Sequence, residues 1–411
     1  MPQLELLSGR HLARGFLAAI LLAAGAAHAQ TTIEVSNVSQ LANAVSSANS
    51  SGGNVIISVA DGTYSLSDTL YVNAPNVTIT GKSGARDKVI IQGTAMAEGA
   101  KVGNVIRVAA SNFKLNAVTL QKAGNHLIQI AGEMNADAPV ITNCILRDAW
   151  EQLLKVSQDA SKPNVVSDNG RVENCLFEYS AGIGPQYYIG GIDAHGSTGW
   201  VVRNNTFKNI AAPNTSVAEF AVHFWDAPSA NNTIERNLII DCDRGIGFGL
   251  QGRGNSGGTI RNNMIYHSNN GDPYADVGIA LADSPNTQVY NNTVYFENSM
   301  SFSMEYRFAA TKGAVFSNNL SNRQILARDG GTATLSNNVI NASASWFKGV
   351  SSGDLHLASA VASVVDAGKA VSGLSDDYDG QARSGSIDIG ADEYGATAAV
   401  KPNPPTNVTA Q

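Results

Sequence analysis

Charge is scarce in this 411-residue chain, with Lys, Arg, Asp and Glu making up only 15% of it. A protein with so few charges has to satisfy its polar groups internally, as stacked amide side chains can. The formal charge of −7 argues against nucleic acid as a partner, because phosphates call for a basic face. It leaves an anionic glycan open, since a local group of Lys, Arg and His can override the global sign. Cysteine is scarce as well, at three residues, too few for a disulfide scaffold. Beyond the first thirty residues no apolar run approaches eighteen, so no membrane span is expected.

What is present begins with an address. Arg10 and Arg14 form a basic start, Phe16 to Ala27 is an apolar stretch too short to cross a bilayer, and Ala27-His28-Ala29 offers a small-x-small cleavage pattern. Residues 1–29 therefore read as a signal peptide of bacterial style, with the mature chain starting at Gln30 and going to the periplasm or the medium. On that reading the Asn-x-Ser/Thr sites need no glycan.

A repeat dominates the centre. The phrase apolar-x-Asn recurs around Ile141-Thr142-Asn143-Cys144, Val172-Glu173-Asn174-Cys175, Val202-Arg203-Asn204-Asn205 and Ile234-Glu235-Arg236-Asn237. It continues at Ile260-Arg261-Asn262-Asn263, Val289-Tyr290-Asn291-Asn292, Phe316-Ser317-Asn318-Asn319 and Leu335-Ser336-Asn337-Asn338. Counted from the last Asn of each, the steps are 31, 31, 32, 26, 29, 27 and 19 residues, the length of one solenoid coil with variable loops. The segments are short, alternating and rich in Val, Ile and Phe, which favours strands. Asn suits a left-handed turn, and its amide can bond to the equivalent amide of the next coil. The expected fold is all-β, a right-handed parallel β-helix. Cys144 and Cys175 then stack one coil apart, as buried thiols or as a disulfide, and Cys242 has no evident partner.

The ends agree with a solenoid. Val38 to Ala48 has helical spacing and is expected to cap the first coil, whose core and edge would otherwise be bare. The run Ser39-Gln40-Leu41-Ala42-Asn43-Ala44-Val45, with Val55-Ile56-Ile57 and Asp61-Gly62-Thr63-Tyr64, resembles the opening of pectate-lyase-like β-helix proteins. Polysaccharide lyases related to chondroitinase B and the alginate lyases begin similarly. Asp377-Tyr378-Asp379-Gly380-Gln381-Ala382-Arg383 and Asp388-Ile389-Gly390-Ala391-Asp392-Glu393-Tyr394 resemble the closing segment of many secreted bacterial β-helix proteins. The resemblance implies the fold over residues 30–395 and work on a polysaccharide. It matches no catalytic motif of those lyases, so it carries over no active-site residue. Residues 396–411, with Lys401-Pro402-Asn403-Pro404-Pro405, read as a Pro-rich linker or tail.

Aligning the coils on an inward anchor locates a face. The anchors are Ile128, Leu154, Ile192, Val222, Ile246, Ile279, Met304 and Ile325. One position later an outward column reads Gln129, Lys155, Asp193, His223, Gly247, Ala280, Glu305, Leu326. Three positions later it reads Ala131, Ser157, His195, Trp225, Gly249, Ala282, Arg307, Arg328. One position before, a third outward column is expected at Leu127, Leu153, Gly191, Ala221, Gly245, Gly278, Ser303 and Gln324. Together these suggest a glycine-floored trough between two charged walls, with Met304 and Tyr306 in the core.

The wall residues suit β-elimination on a uronate, which needs a base at C5, an acid for the leaving oxygen and a cation for the carboxylate. His223 or Lys155 is the candidate base, with Asp193 and His195 completing the cluster. Arg307 and Arg328 are candidates for the carboxylate, and Ca²⁺ could serve there too. Trp225, Glu305, Gly247 and Gly249 are candidates for holding sugar. A hydrolase would need two carboxyl groups ~5–9.5 Å apart. Asp193 and Glu305, four coils apart at ~19 Å, are not that pair, and Asp226 with Asp243 is the substitute. Each residue also has a plainer reading: Gly and Ala admitting a covering loop, Asp193 and His223 as a structural pair, Glu305 and Arg307 as a surface salt bridge, Trp225 under the insertion Glu178 to Gly190. The expected partner is an acidic polysaccharide, bound by a monomer. The alternatives are a glycan-binding or adhesive module, a glycoside hydrolase and a uronate epimerase.

Overall fold

Each repeat lays down three short strands separated by turns, and successive repeats stack in parallel. A computed structural model describes residues 30–269, 271 and 276–396. The signal-peptide reading and the tail beyond Ala396 lie outside those residues. Stacking gives one 12-stranded sheet, from Thr31–Val35 to Ala333–Ser336, and two 10-stranded sheets, Gly62–Ser65 to Leu320–Ser321 and Leu70–Val72 to Gln324–Arg328. Every pairing within these three sheets is parallel and joins strands one coil apart, which makes the chain the expected right-handed parallel β-helix. The expected helix forms over Val38–Ser50. The Asn37 side chain caps it by accepting from Gln40 N–H, and Leu41, Ala44, Val45 and Ala48 face the first coil.

The Asn pairs sit at the corner where the 12-stranded sheet turns into its neighbour, and the two positions divide the labour. The first residue takes the left-handed backbone, with φ between 50° and 57° at Asn143, Asn174, Asn204, Arg236, Asn262, Asn291, Asn318 and Asn337. The second points inward and forms the ladder. Nδ2 of Asn205, Asn237, Asn263, Asn292 and Asn319 donates to Oδ1 of the next Asn at 2.9–3.0 Å. Each of these five also donates to a carbonyl of the coil before, at 2.9 Å, so the buried amide is satisfied on both sides. Cys144 and Cys175 hold this inner place in the earlier coils as free, buried thiols, and Cys144 N–H points at Cys175 Sγ at 3.4 Å. The equivalent of Asn174 is therefore Asn204 and not Asn205, which shortens that coil by one residue.

The outer Asn side chains have a second use. Beyond the last coil the chain folds back along the solenoid, and Leu355, Leu357, Val364, Ile389 and Ala391 pack on Met264, Tyr266 and Leu320. Asn262, Asn291, Asn318 and Asn337 donate to the carbonyls of Asp376, Asp388, Lys369 and Ala367 at 2.8–2.9 Å. Arg383, buried in this seam, pairs with Glu393 at 2.8 Å and donates to Asn262 Oδ1 at 3.1 Å. Left-handed corners thus present a row of amides that holds the closing segment.

Asn263→Ala removes a rung and strands the N–H and Nδ2 of Asn237, which share Asn263 Oδ1. Each buried group left unpaired costs about 1–3 kcal/mol. Urea unfolding is expected to show a loss of that order, whereas Asn262→Ala should instead loosen the closing segment, seen as faster amide exchange in 376–391.

Candidate active site

All eight anchors fall in register in the sheet that runs from Leu70–Val72 to Gln324–Arg328. The column one position later is continuous from Tyr71 and Arg107 through Gln129, Lys155, Asp193, His223, Gly247, Ala280 and Glu305 to Leu326. The column one position before the anchor is outward only at Gln324 in the last coil. Leu127, Leu153, Ala221 and Ser303 are fully buried, and a Cβ on Gly191 would strike Phe207 in the interior. The chain bends as it enters this sheet, so two consecutive residues face inward and strict alternation fails there.

Lys155, Asp193, His195, His223 and Trp225 come together as one cluster on three adjacent strands. Lys155 Nζ pairs with Asp193 Oδ2 and lies 2.8 Å from His195 Nε2. His195 Nδ1 lies 2.8 Å from Asp226 Oδ2, and Asp226 in turn holds Arg253. With Nδ1–H donating to Asp226, His195 presents a lone pair at Nε2 to the Lys155 ammonium. Asp193 also accepts from Trp225 Nε1 at 2.6 Å. Burial works to raise the Asp193 carboxyl, but the His195 hydrogen bond and the charges of Lys155, His195 and His223 outweigh it and hold it well below the usual range. Asp226 is likewise lowered, against its own burial, by Arg253 and His195.

His223 is held differently. Its Nε2 donates to the Gly249 carbonyl at 3.0 Å, and its ring lies between Phe220, with centroids 4.8 Å apart, and Trp225, at 5.3 Å. Burial pushes it down to about 4, and the Asp193 charge does not make up the difference. His126, three coils away towards the N-terminus, donates from Nδ1 to the Gln152 carbonyl and is also pushed down to about 4 by burial. Both faces of Trp225 are occupied, by His195 and His223 and by the Arg253 guanidinium 3.9 Å from the ring centroid.

The rest of the expected trough is rearranged. A Cβ on Gly247 would lie 2.8 Å from the Phe220 ring, so that ring fills the place where an open floor was expected. Gly249 has φ +73 and uses its carbonyl to hold His223, and Gly245 and Gly278 face the interior. Glu305, Arg307 and Arg328 form a separate ionic group with Asp329: Arg328 to Glu305 at 2.7 Å, Arg307 to Glu305 at 3.8 Å and to Asp329 at 2.7 Å. Three coil steps, ~14 Å, separate its Glu305 from His223, so these arginines are not brought to the cluster. Asp226 and Asp243 lie at opposite ends of their strands. Asp243 is buried and accepts from the N–H groups of Ala212 and Ala218, so that pair is not assembled.

Residues that sequence reasoning missed lie on the N-terminal side. Arg107 stands in the main column two coils before Lys155, with its side chain 41% exposed and paired to Glu133 at 3.2 Å. Tyr71 is exposed beneath it. Tyr187 and Tyr188 are exposed on the insertion, and the Tyr188 ring centroid is 6.0 Å from Lys155 Nζ. Extending the alignment two coils back would have found Arg107 and Tyr71, but no periodic signal marks tyrosines in a loop. Glu151 and Glu219 complete the surroundings, each raised chiefly by burial. Around the largely buried Lys155 the exposed side chains are thus Tyr187 and Tyr188 on the insertion and Arg107 in the column.

Residues 172–345 match a family model described as the right handed beta helix region. No curated protein matches the chain. Among solved structures, the catalytic domain of Agl-KA is similar at 15% identity and a TM-score of 0.45, over 72% of this chain and 65% of that one. An alginate lyase from Paenibacillus sp. strain FPU-7 is similar at 15% identity and a TM-score of 0.42, over 75% of this chain and 98% of that one. The PL6 family alginate lyase AlyGC is similar at 12% identity and a TM-score of 0.38, over 71% and 44%. These likenesses are of fold.

The two buried histidines make stability depend on pH. Each falls from an ordinary 6.5 to about 4 in the fold, so between those values the unfolded chain binds protons the folded chain refuses. Stability is therefore expected to fall as pH drops from about 6.5 towards 4, by up to about 1.4 kcal/mol per pH unit for each histidine. His223→Gln should flatten the fall of the urea midpoint over that window, and an unchanged slope would refute the assignment.

Proposed function

We propose that this chain is a secreted polysaccharide-active enzyme that cleaves a uronate-containing chain by β-elimination, with Lys155 as the base. The observation that carries this reading is the line Lys155–His195–Asp226, in which an amine meets an imidazole whose far nitrogen is held by a carboxylate. Passing a proton from Lys155 to His195 gives an imidazolium that Asp226 stabilises, and leaves a neutral amine on a side chain that is 11% exposed. That amine takes the C5 proton, the C4–C5 double bond forms and the C4–O bond breaks. Tyr188, its ring centroid 6.0 Å from Lys155 Nζ, is our candidate to protonate the leaving oxygen, and Arg107, the exposed cation in the same column, our candidate for the carboxylate. Asp193 keeps the amine in place. His223 is the weaker candidate for base, because Phe220 and Trp225 bury it and its Nε2 is committed to a carbonyl. Arg307, Arg328 and Glu305 could at most meet the substrate several sugars away.

Purified chain is to be assayed on alginate, pectin and glycosaminoglycans, with Ca²⁺ and with EDTA, following the ultraviolet absorbance of the unsaturated uronate. Lys155→Ala is expected to lower kcat by about 10²–10⁴-fold, and Arg107→Ala to act mainly on KM. New reducing ends without that absorbance would mean hydrolysis and shift attention to Glu219 and Asp193. Inversion at C5 without cleavage would mean epimerisation. Binding without any turnover would favour the glycan-binding module.

A further inference from the structure

The closing segment gathers a second group of ionisable side chains on a face away from Lys155. His356 lies on the strand Asp354–Leu357, Asp379 in the turn that follows Asp377, and Asp392 near the end of the described chain. One donor atom from each of His356, Asp379 and Asp392 lies within 4.8 Å of the others. His356 Nε2 points at Asp379 Oδ2 at 2.8 Å, and its Nδ1 is held by Asp354 Oδ1 at 2.5 Å. Both ring nitrogens thus donate to carboxylates, so a metal ion at Nε2 would take the place of the proton shared with Asp379, while Asp354 holds the far nitrogen as carboxylates do for metal-bound imidazoles.

Asp392 points to what is wanted there. It is 8% exposed, its Oδ2 accepts from Leu357 N–H at 2.7 Å, and it makes no ion pair with any described residue. A carboxylate nine-tenths buried needs positive charge nearby, which the His356 ring shared with Asp354 and Asp379 supplies in part and a divalent ion in place of its Nε2 proton would supply in full.

We propose that His356, Asp379 and Asp392 form a binding site for a divalent transition-metal ion, Zn²⁺ first among them, that clips three stretches of the closing segment together. One imidazole nitrogen and two carboxylate oxygens suit Zn²⁺ better than Ca²⁺, which prefers an all-oxygen shell. Ligands ~2.0–2.2 Å from Zn²⁺ in tetrahedral array stand ~3.3–3.6 Å apart, so His356 and Asp379, at 2.8 Å, have to part slightly and Asp392 has to move in by up to about an ångström. Water would take the fourth position. Because the three ligands come from separate stretches, 356, 379 and 392, the ion acts as a clip, and its effect reads out as stability of that segment.

The test uses the untagged mature chain, stripped with EDTA and titrated with Zn²⁺ by calorimetry, with Co²⁺ as a spectroscopic stand-in. One ion per chain is expected, with a raised unfolding temperature and the visible bands of four-coordinate Co²⁺. Asp379→Asn and Asp392→Asn should each weaken Zn²⁺ at least tenfold, and Asp354→Asn about 10–100-fold. His195→Ala should leave the ion in place. Absence of Zn²⁺ binding by the stripped wild-type chain, judged folded by circular dichroism, overturns the proposal without recourse to variants. Binding that survives in the Asp379→Asn/Asp392→Asn double variant, or that disappears in His195→Ala, overturns it as well.

Discussion

A side-chain amide that both donates and accepts along the stacking direction ties neighbouring coils to one register, and everything else in this molecule depends on that tie. From Asn205 to Asn319 each inner Asn hands a hydrogen bond to the next and another to the coil behind it. A slip of one residue would leave buried amides unpaired at every rung and turn each strand's core face outward. The columns on the neighbouring sheet inherit that register. Lys155, Asp193 and His223 belong to three different repeats, and they are neighbours only because the coils cannot slide.

The cluster around Lys155 uses that rigidity to bury charge. Asp193 is almost enclosed, yet Lys155, His195 and the Trp225 N–H keep it ionised, while His223 two residues from Trp225 stays neutral because burial outweighs the same carboxylate. Opposite outcomes within one cluster come from how burial is balanced: at Asp193 the donors and neighbouring positive charges outweigh it, whereas at His223 the Gly249 carbonyl and the Asp193 charge do not. Charge is scarce along the chain, and a notable share of it is concentrated where coils meet: here, in the Glu305 group, and in the seam around Arg383.

Legibility from sequence followed periodicity. The Asn spacing and the alternation of Ile192-Asp193-Ala194-His195 against Val222-His223-Phe224-Trp225 were enough to align eight anchors and to bring Asp193, His195, His223 and Trp225 to one place. The method failed where the chain leaves the regular strand. Leu127, Leu153 and Ala221 turn inward because a bend replaces one step of alternation. Gly247 looked like open floor, but a residue three positions upstream in the preceding strand, Phe220, lies over it. Tyr187 and Tyr188 sit in an irregular loop, where no period predicts direction.

By itself the sequence determined the fold, the register and which residues share a column, because those follow from short-range rules repeated nine or so times: strand alternation, a left-handed corner and an amide that bonds to its own copy. Only the tertiary structure decided which of those residues remain reachable. Burial of His223 between two aromatic rings, closure of the glycine floor, pairing of Arg307 and Arg328 with carboxylates of their own, and assembly of His356 with Asp379 and Asp392 all arise from contacts between stretches far apart in the chain. Such contacts depend on side-chain volume and on the paths of loops, for which a repeat carries no code.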